Sequence, residues 1–206
     1  MTQSHRDPEN RNQNPGNPIN KGSKSSHPSL NTRQNDQMRN NTGRASSASF
    51  VARVALLASL ALIFSYVEAV IPYNPGIPGV KLGIANIVTV IALYRFGAKE
   101  AAAVNVIRII IAGLLFSGLF GMLYSLAGAA LSLAGMIVLK KTGLFSVIGV
   151  SMAAGVLHNL GQLLVAAALI EDLRIFFYFP VLLFSGIAAG ILVGFASAII
   201  LSRKFI

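Results

Sequence analysis

Long apolar stretches, separated by short polar or proline- and glycine-rich breaks, fill the chain after residue 50. Residues 109–139, 142–170 and 175–202 contain no Lys, Arg, Asp or Glu and are 31, 29 and 28 residues long. A helix needs about 20 apolar residues to cross roughly 30 Å of hydrocarbon. Each of these stretches is therefore long enough to be a membrane-spanning helix.

Apolar length and turn-forming residues together predict six spans. They lie at residues 51–71, 80–96, 98–116, 119–139, 145–169 and 176–201. Three prolines and two glycines in residues 72–79 prevent the first two helices from joining. We therefore expect an all-α membrane protein whose six-helix transmembrane domain occupies residues 50–206.

The first 49 residues are polar and rich in Asn, Ser, Pro and Gly. The formal net charge of the chain is +10, which could suggest nucleic acid, but no aromatic residue precedes Phe50 to stack on bases. A short apolar core and a cleavage site typical of a signal peptide are missing too. We predict a disordered cytoplasmic tail at residues 1–49 that binds no nucleic acid.

The distribution of cations predicts the orientation of the spans. Short loops rich in Lys and Arg stay in the cytoplasm. Only Lys81 and Arg174 fall on the other predicted side, and Arg174 is accompanied by two acids. The cations of the cytoplasmic side are those of the tail and Arg53, Arg95, Lys99, Lys140, Lys141, Arg203 and Lys204. Both termini are expected in the cytoplasm.

Small residues recur on single faces of the later spans. In a bilayer, such faces allow close helix packing. They are Gly186, Gly190 and Gly194 in the sixth span, Ser151, Gly155 and Asn159 in the fifth, and Gly128, Ser132 and Gly135 in the fourth. Ala55 and Ser59 in the first span either pack in the same way or dock another membrane subunit.

Arg108 is the strongest candidate for a functional residue. It lies about 15 Å into its predicted helix, with Asn105 one turn away on the same face. A charge at that depth normally faces a partner, a cavity or a ligand. Arg108 therefore either contacts a ligand or forms a structural pair with Glu68 or with backbone carbonyls.

A second polar group lies in the fifth span. His158, Asn159 and Gln162 fall within little more than one helical turn and offer both donors and acceptors. They either bind a polar ligand or form bonds between helices. The further ligand-binding candidates are Asn86, Asn105, Glu68, Tyr124 and Lys81. Lys81 could instead extend to the membrane interface.

Several kinds of chemistry have no residues to support them. The chain has no cysteine, and its three histidines do not form a zinc-ligand pattern. A GxxxxGK[ST] nucleotide loop is absent, and the three aspartates are scattered rather than clustered to hold magnesium. We expect no catalytic residue, no metal and no cofactor in this chain.

Residues 51–206 resemble a bacterial membrane-protein family known both as the Gx transporter family and as heptaprenyl diphosphate synthase component I. The segment from Pro78 to Thr89, PGVKLGIANIVT, is similar to the family's PGxKLGxANxxT signature. The sequences SYVE at residues 65–68, YSLAG at 124–128 and HNLGQ at 158–162 extend the resemblance.

That family in turn resembles the substrate-binding S components of energy-coupling-factor transporters. The resemblance implies a six-helix bundle that binds a small molecule from outside, with a separate T component and two ATPases supplying energy. It further implies that Ala55 and Ser59 meet the T component.

Two functions remain open at this point. The leading hypothesis is an S-component-like subunit for uptake of a small molecule. The alternative is a non-catalytic membrane partner of a prenyl diphosphate synthase, in isoprenoid or quinone metabolism. Chain-elongating prenyl synthases resemble soluble proteins with two aspartate-rich motifs, and this sequence has neither. A self-contained channel is disfavoured because no polar lining repeats across the spans.

Overall fold

The computed structural model describes residues 30–70 and 83–203 of the chain. Regular structure in these ranges is helical throughout. The six α-helices are α1 (Leu30–Val70), α2 (Ala85–Arg95), α3 (Ala98–Ala112), α4 (Gly118–Thr142), α5 (Val147–Ile170) and α6 (Phe179–Ser202). A π-helical turn (Gly113–Ser117) follows α3, and a 3₁₀ segment (Leu173–Tyr178) precedes α6.

Helix α1 begins 21 residues before the predicted start of the first span at residue 51. Residues 30–49, which we expected to belong to a disordered tail, are helical. This part of the chain has no proline after Pro28 and a single glycine, Gly43. Once an apolar helix has formed, extending it costs far less than starting it. The rest of the predicted tail, residues 1–29, lies outside the described residues.

The chain reverses direction at Gly118, between α3 and α4. Gly118 has a φ of 67°, in the left-handed region that favours glycine. A Cβ on Gly113 would lie 2.8 Å from the Cβ of Met122. Nine residues along one continuous helix would instead be separated by about 13.5 Å. The predicted break between the third and fourth spans is therefore confirmed, although it is a turn at one glycine rather than a loop.

Four helical stretches are long and apolar enough to cross a membrane, and α2 is a shorter apolar helix of 11 residues. These stretches are Gln37–Val70, Ala98–Thr142, Val147–Ile170 and Leu173–Ser202. The stretch Ala98–Thr142 contains the reversal at Gly118. Its first arm is α3, with 15 residues, followed by the π turn, with 5 residues. Its second arm is α4, with 25 residues.

Helices α5 and α6 pack with their backbones in contact. A Cβ on Gly155 would meet the carbonyl of Gly186, and a Cβ on Gly190 would lie 2.5 Å from the Cα of Met152. The position of Gly194 is equally close to α5. The predicted small-residue packing of the sixth span is confirmed, and it makes α5 and α6 antiparallel neighbours.

Helix α4 packs on the other side of α5 through glycines of both helices. A Cβ on Gly128 would lie 2.8 Å from the carbonyl oxygen of His158. A Cβ on Gly161 would lie 2.7 Å from the carbonyl oxygen of Ala127. The packing role predicted for Gly128 is confirmed, and Gly161 is an additional member of this contact.

Helices α1, α2 and α3 share a core of small and β-branched side chains. Val54 and Ala61 of α1 pack there with Val88 of α2 and Val104 of α3. A second core joins α2 to α4, α5 and α6 through residues such as Leu93. Helix α2 therefore lies in the interior and links the two halves of the bundle.

One end of the bundle collects the basic side chains. Arg53 pairs with Glu100 at 3.3 Å, which joins α1 to α3. Arg95 donates to the carbonyl oxygen of Arg203 at 3.1 Å, which joins α2 to the end of α6. Lys140 donates to a carbonyl oxygen of α2 at 2.7 Å. We call this the basic end; Arg174 lies before α6 and hence at the opposite end.

Candidate functional site

A cavity of about 380 Å³ lies inside the bundle and is lined by residues of all six α-helices. Its lining extends from Ser151, one turn into α5 near the end of α4, to Ser117, where α4 begins at the other end of the bundle. Polar side chains contribute much of this lining. They are Ser65 and Glu68 of α1, Asn86 of α2, Arg108 of α3, Ser125 and Ser132 of α4, and Ser151, His158, Asn159 and Gln162 of α5, with Ser117 from the π turn.

Arg108 lines the cavity and is held from behind by Asn105. Its Nη2 donates to Oδ1 of Asn105 at 2.8 Å, as the spacing of three residues on one helix face allows. Asn105 is 4% exposed and is not part of the lining. The Nε of Arg108 is buried and has no hydrogen-bond partner. Part of the guanidinium is therefore left unsatisfied by the protein.

Glu68 faces the same cavity from α1. Its Oε1 accepts a hydrogen bond from the backbone N–H of Gly83 at 2.6 Å, just before α2 begins. The ion pairs within 4.0 Å among the described residues are Arg53–Glu100 and Arg174–Asp172. The direct Arg108–Glu68 pair, one structural alternative considered for Arg108, is therefore wrong.

The predicted cluster on α5 also faces the cavity. His158, Asn159 and Gln162 all belong to the lining. The Nδ2 of Asn159 donates to the carbonyl oxygen of Leu182 at 2.7 Å and to Oγ of Ser185 at 3.2 Å. The alternative of a bond between helices is thus correct for this amide nitrogen, which ties α5 to α6 beside the cavity.

The other predicted binding residues have different locations. Asn86 lines the cavity, whereas Tyr124 does not, and its neighbour Ser125 does. Adjacent residues of an α-helix point about 100° apart, so a correct helix can still present the wrong residue. Asn105 supports Arg108 instead of reaching the cavity. Lys81 lies outside the described residues.

Sequence reasoning missed several serines of the site. The sequence pattern places Ser132 and Ser151 among small packing residues only, and of the neighbours Tyr124 and Ser125 it favours Tyr124 as a ligand contact. The Oγ of Ser151 is buried without a hydrogen-bond partner. Small residues that also carry a hydroxyl can serve both helix packing and a polar cavity, and this double role was the signal available in the sequence.

The two predicted docking residues lie on an uncovered face of α1. Ala55 and Ser59 are both exposed, and the Ser59 hydroxyl donates back to the carbonyl oxygen of Ala55 at 2.8 Å. Large apolar neighbours on α1, such as Leu56 and Ile63, are exposed as well. Lipid or another membrane subunit can therefore reach this face.

Metal binding was assessed over the residues that the structure describes. In these ranges no group of three or more His, Cys, Asp or Glu side chains is close enough to hold a metal ion. The cavity accordingly offers hydrogen bonds and charges from Arg108 and Glu68. Such groups can form hydrogen bonds and ion pairs with a polar small molecule.

Comparison with known proteins identifies a family for this chain. Comparison with curated proteins and with solved structures gave no match. Residues 57–200 match the sequence model of the heptaprenyl diphosphate synthase component I family, which covers more than half of the chain. This match confirms the resemblance read from the sequence motifs. The chain therefore belongs to the heptaprenyl diphosphate synthase component I family.

Proposed function

We propose that this chain is a non-catalytic membrane subunit that associates with the catalytic chain of a prenyl diphosphate synthase and binds a small molecule in its cavity. Family membership supports the association. The cavity, with an unpartnered Nε of Arg108 on its wall, supports the binding role. The unpartnered Nε of Arg108 is the main support for the binding role, because a buried cation inside a membrane normally faces a partner group, a cavity or a ligand.

The catalytic step is assigned to the partner because this chain lacks the means for it. Chemistry on a diphosphate requires magnesium held by clustered carboxylates. Asp7, Asp36 and Asp172 are far apart in the sequence and form no such cluster. Association with a membrane subunit would bring a soluble synthase to the bilayer, where its long apolar product belongs.

The proposed topology has six membrane passes with both termini in the cytoplasm. The reversal at Gly118 gives Ala98–Thr142 enough length for two passes, because its arms have 20 and 25 residues. Helix α2, with 11 residues, is the shortest of the six proposed passes. The basic end would face the cytoplasm under the positive-inside rule.

Uptake of a small molecule is the second candidate function. The position of the cavity favours it, since the lining reaches the end opposite the basic end, which would face outward. The exposed Ala55 and Ser59 would then meet a T component, and two ATPases would supply energy. A ligand could couple to these partners only by changing their affinity for the subunit.

Affinity purification of the tagged chain in mild detergent tests the two functions. Recovery of a prenyl diphosphate synthase catalytic chain supports the proposed association. Recovery of a T-type membrane protein with ATPases, and no synthase, would instead support uptake. Ala55→Leu combined with Ser59→Leu should abolish T-type recovery by blocking close helix approach, whereas Leu56→Ala, at an exposed neighbour, should leave it intact.

Native mass spectrometry tests the binding role separately. We expect a small molecule to accompany the purified wild-type chain and to be lost from Arg108→Gln. Arg95→Gln is the matched control, because Arg95 lies at the basic end and bonds backbone carbonyls there. Normal ligand occupancy in Arg108→Gln would show that Arg108 is not a ligand contact.

A further inference from the structure

The charged groups of the cavity wall have opposite signs. Among the residues that the structure describes, Arg108 and Glu68 are the two Lys, Arg, Asp or Glu side chains of the lining, and their formal charges are opposite. They come from different helices, α3 and α1. The remaining polar side chains of the described lining carry hydroxyl, amide and imidazole groups.

The two charges do not satisfy each other through direct contact. No ion pair within 4.0 Å among the described residues involves either of them. Glu68 uses Oε1 for the N–H of Gly83, and Arg108 uses Nη2 for Asn105. The buried Nε of Arg108 has no partner. Each charge therefore retains capacity for a ligand that occupies the space they share.

The opposite charges of Arg108 and Glu68 disfavour several classes of ligand. A phosphate or diphosphate could form an ion pair with the guanidinium of Arg108. It would also face the carboxylate of Glu68, and repulsion between like charges disfavours binding. A ligand with only a positive charge would face Arg108 in the same way. A prenyl chain would desolvate the serine and amide groups of the wall without giving them partners.

The volume of the cavity limits the size of the ligand. The cavity measures about 380 Å³, near the lower end of the roughly 300–1,000 Å³ typical of small-molecule sites. The site therefore suits a compact molecule.

From this geometry we infer that the cavity binds a compact zwitterion, with its anionic group on Arg108 and its cationic group on Glu68. This inference rests on the proposed ligand-binding role of the cavity. It assigns the cavity to a molecule other than the prenyl diphosphate or its apolar chain. Asn86 and Gln162, also on the wall, would bond the polar atoms between the two charged groups.

Three probes with the same four-carbon skeleton test the inference: γ-aminobutyrate, butyrate and butylammonium. Thermal unfolding of the purified full chain in detergent is followed with each probe at millimolar concentration. We expect γ-aminobutyrate to raise the Tm and the two singly charged probes to leave it unchanged. An equal rise with butyrate, or with butylammonium, would overturn the inference.

Two charge variants sharpen the test by changing which probe binds. Glu68→Gln leaves one cation, so butyrate should now raise the Tm more than γ-aminobutyrate does. Arg108→Gln leaves one anion, so butylammonium should now be the stronger probe. Arg95→Gln should keep the wild-type preference. An unchanged preference in either cavity variant that folds would overturn the inference.

The outcome separates this inference from the proposed function. If none of the probes shifts the Tm while the synthase chain still co-purifies, the zwitterion assignment fails and the association stands. If γ-aminobutyrate alone stabilises the chain but no synthase is recovered, the proposed association fails and the ligand class stands.

Discussion

Arg108 and Asn105 form a side-chain pair on one face of α3, with 2.8 Å between Nη2 and Oδ1. Asn105 is almost fully buried, so water does not compete for its amide oxygen. The pair holds the guanidinium in place at the cavity wall. Asn105 thus positions Arg108, and under the proposed binding role it would act on a ligand only through Arg108.

Replacing Asn105 by Leu should destabilise the protein, because it removes the recorded partner of a buried charge. Hydrogen bonds to charged groups contribute about 1.5–3 kcal/mol, and we expect a loss of that size. The double variant Asn105→Leu, Arg108→Leu should be more stable than the single one, since no charge then remains unpaired. Unfolding in detergent measures both. A double variant as damaged as the sum of its parts would contradict the pairing.

Lys140 should contribute far more to stability than its neighbour Lys141. The ammonium of Lys140 donates to the carbonyl oxygen of Leu93 at 2.7 Å and lies 4.9 Å from the ring centre of Tyr94, whereas Lys141 is exposed. We expect Lys140→Met to cost about 1–2 kcal/mol from the lost charged hydrogen bond and cation–π contact. Lys141→Met, measured in the same unfolding assay, should change stability by less than about 0.5 kcal/mol. Equal losses of stability in the two variants would show that the contacts of Lys140 with α2 do not stabilise the protein.

Gly190→Ala should weaken the contact between α5 and α6. The new Cβ would lie 2.5 Å from the Cα of Met152, and backbone atoms cannot move aside as a flexible side chain can. Overpacking of this kind costs about 1–3 kcal/mol. Gly149→Ala is the matched control in α5, because its nearest heavy atom would be 3.6 Å away.

The control should be neutral or stabilising, since alanine favours a helix over glycine by up to about 1 kcal/mol. Thermal unfolding in detergent compares the two variants. Equal stability of Gly190→Ala and Gly149→Ala would show that the α5–α6 contact is looser than the structure indicates.

Single-cysteine reporters test the proposed orientation directly, because the chain contains no cysteine of its own. Lys141→Cys lies at the basic end and Arg174→Cys at the opposite end, and both positions are exposed. A membrane-impermeant maleimide applied to intact cells should label the Arg174→Cys protein alone. If intact cells were labelled at Lys141→Cys and not at Arg174→Cys, the orientation would be the opposite of the one proposed.

Hydrophobic length predicted the later helices closely. The expected span at residues 145–169 corresponds to α5 at Val147–Ile170, because uncharged residues of that number form a helix in a bilayer. The early start of α1 could not be predicted in this way. Residues 30–49 are polar, so their helix gives no hydrophobic signal, and they continue directly into the apolar part of α1.

The polar site was predictable where a residue is unusual for a membrane helix. Arg108, His158 and Gln162 were each identified on that ground, and the structure brings them to one cavity. Serines gave no such signal, because a serine in a packed helix face is common. Which side chain of α4 faces the cavity, Ser125 rather than Tyr124, depends on the rotation of the helix about its axis. Helix boundaries read from the sequence do not determine that rotation.

Gly155 and Gly186 have a double position, at the closest approach of α5 and α6 and on the cavity wall. Because neither glycine has a side chain, the backbones of α5 and α6 are in direct contact there. A Cβ at either position would clash with the backbone of the facing helix and force the two helices apart. Because both glycines also line the cavity, helix spacing and cavity shape depend on the same two positions, and alanine at either one is expected to change both without altering a polar side chain.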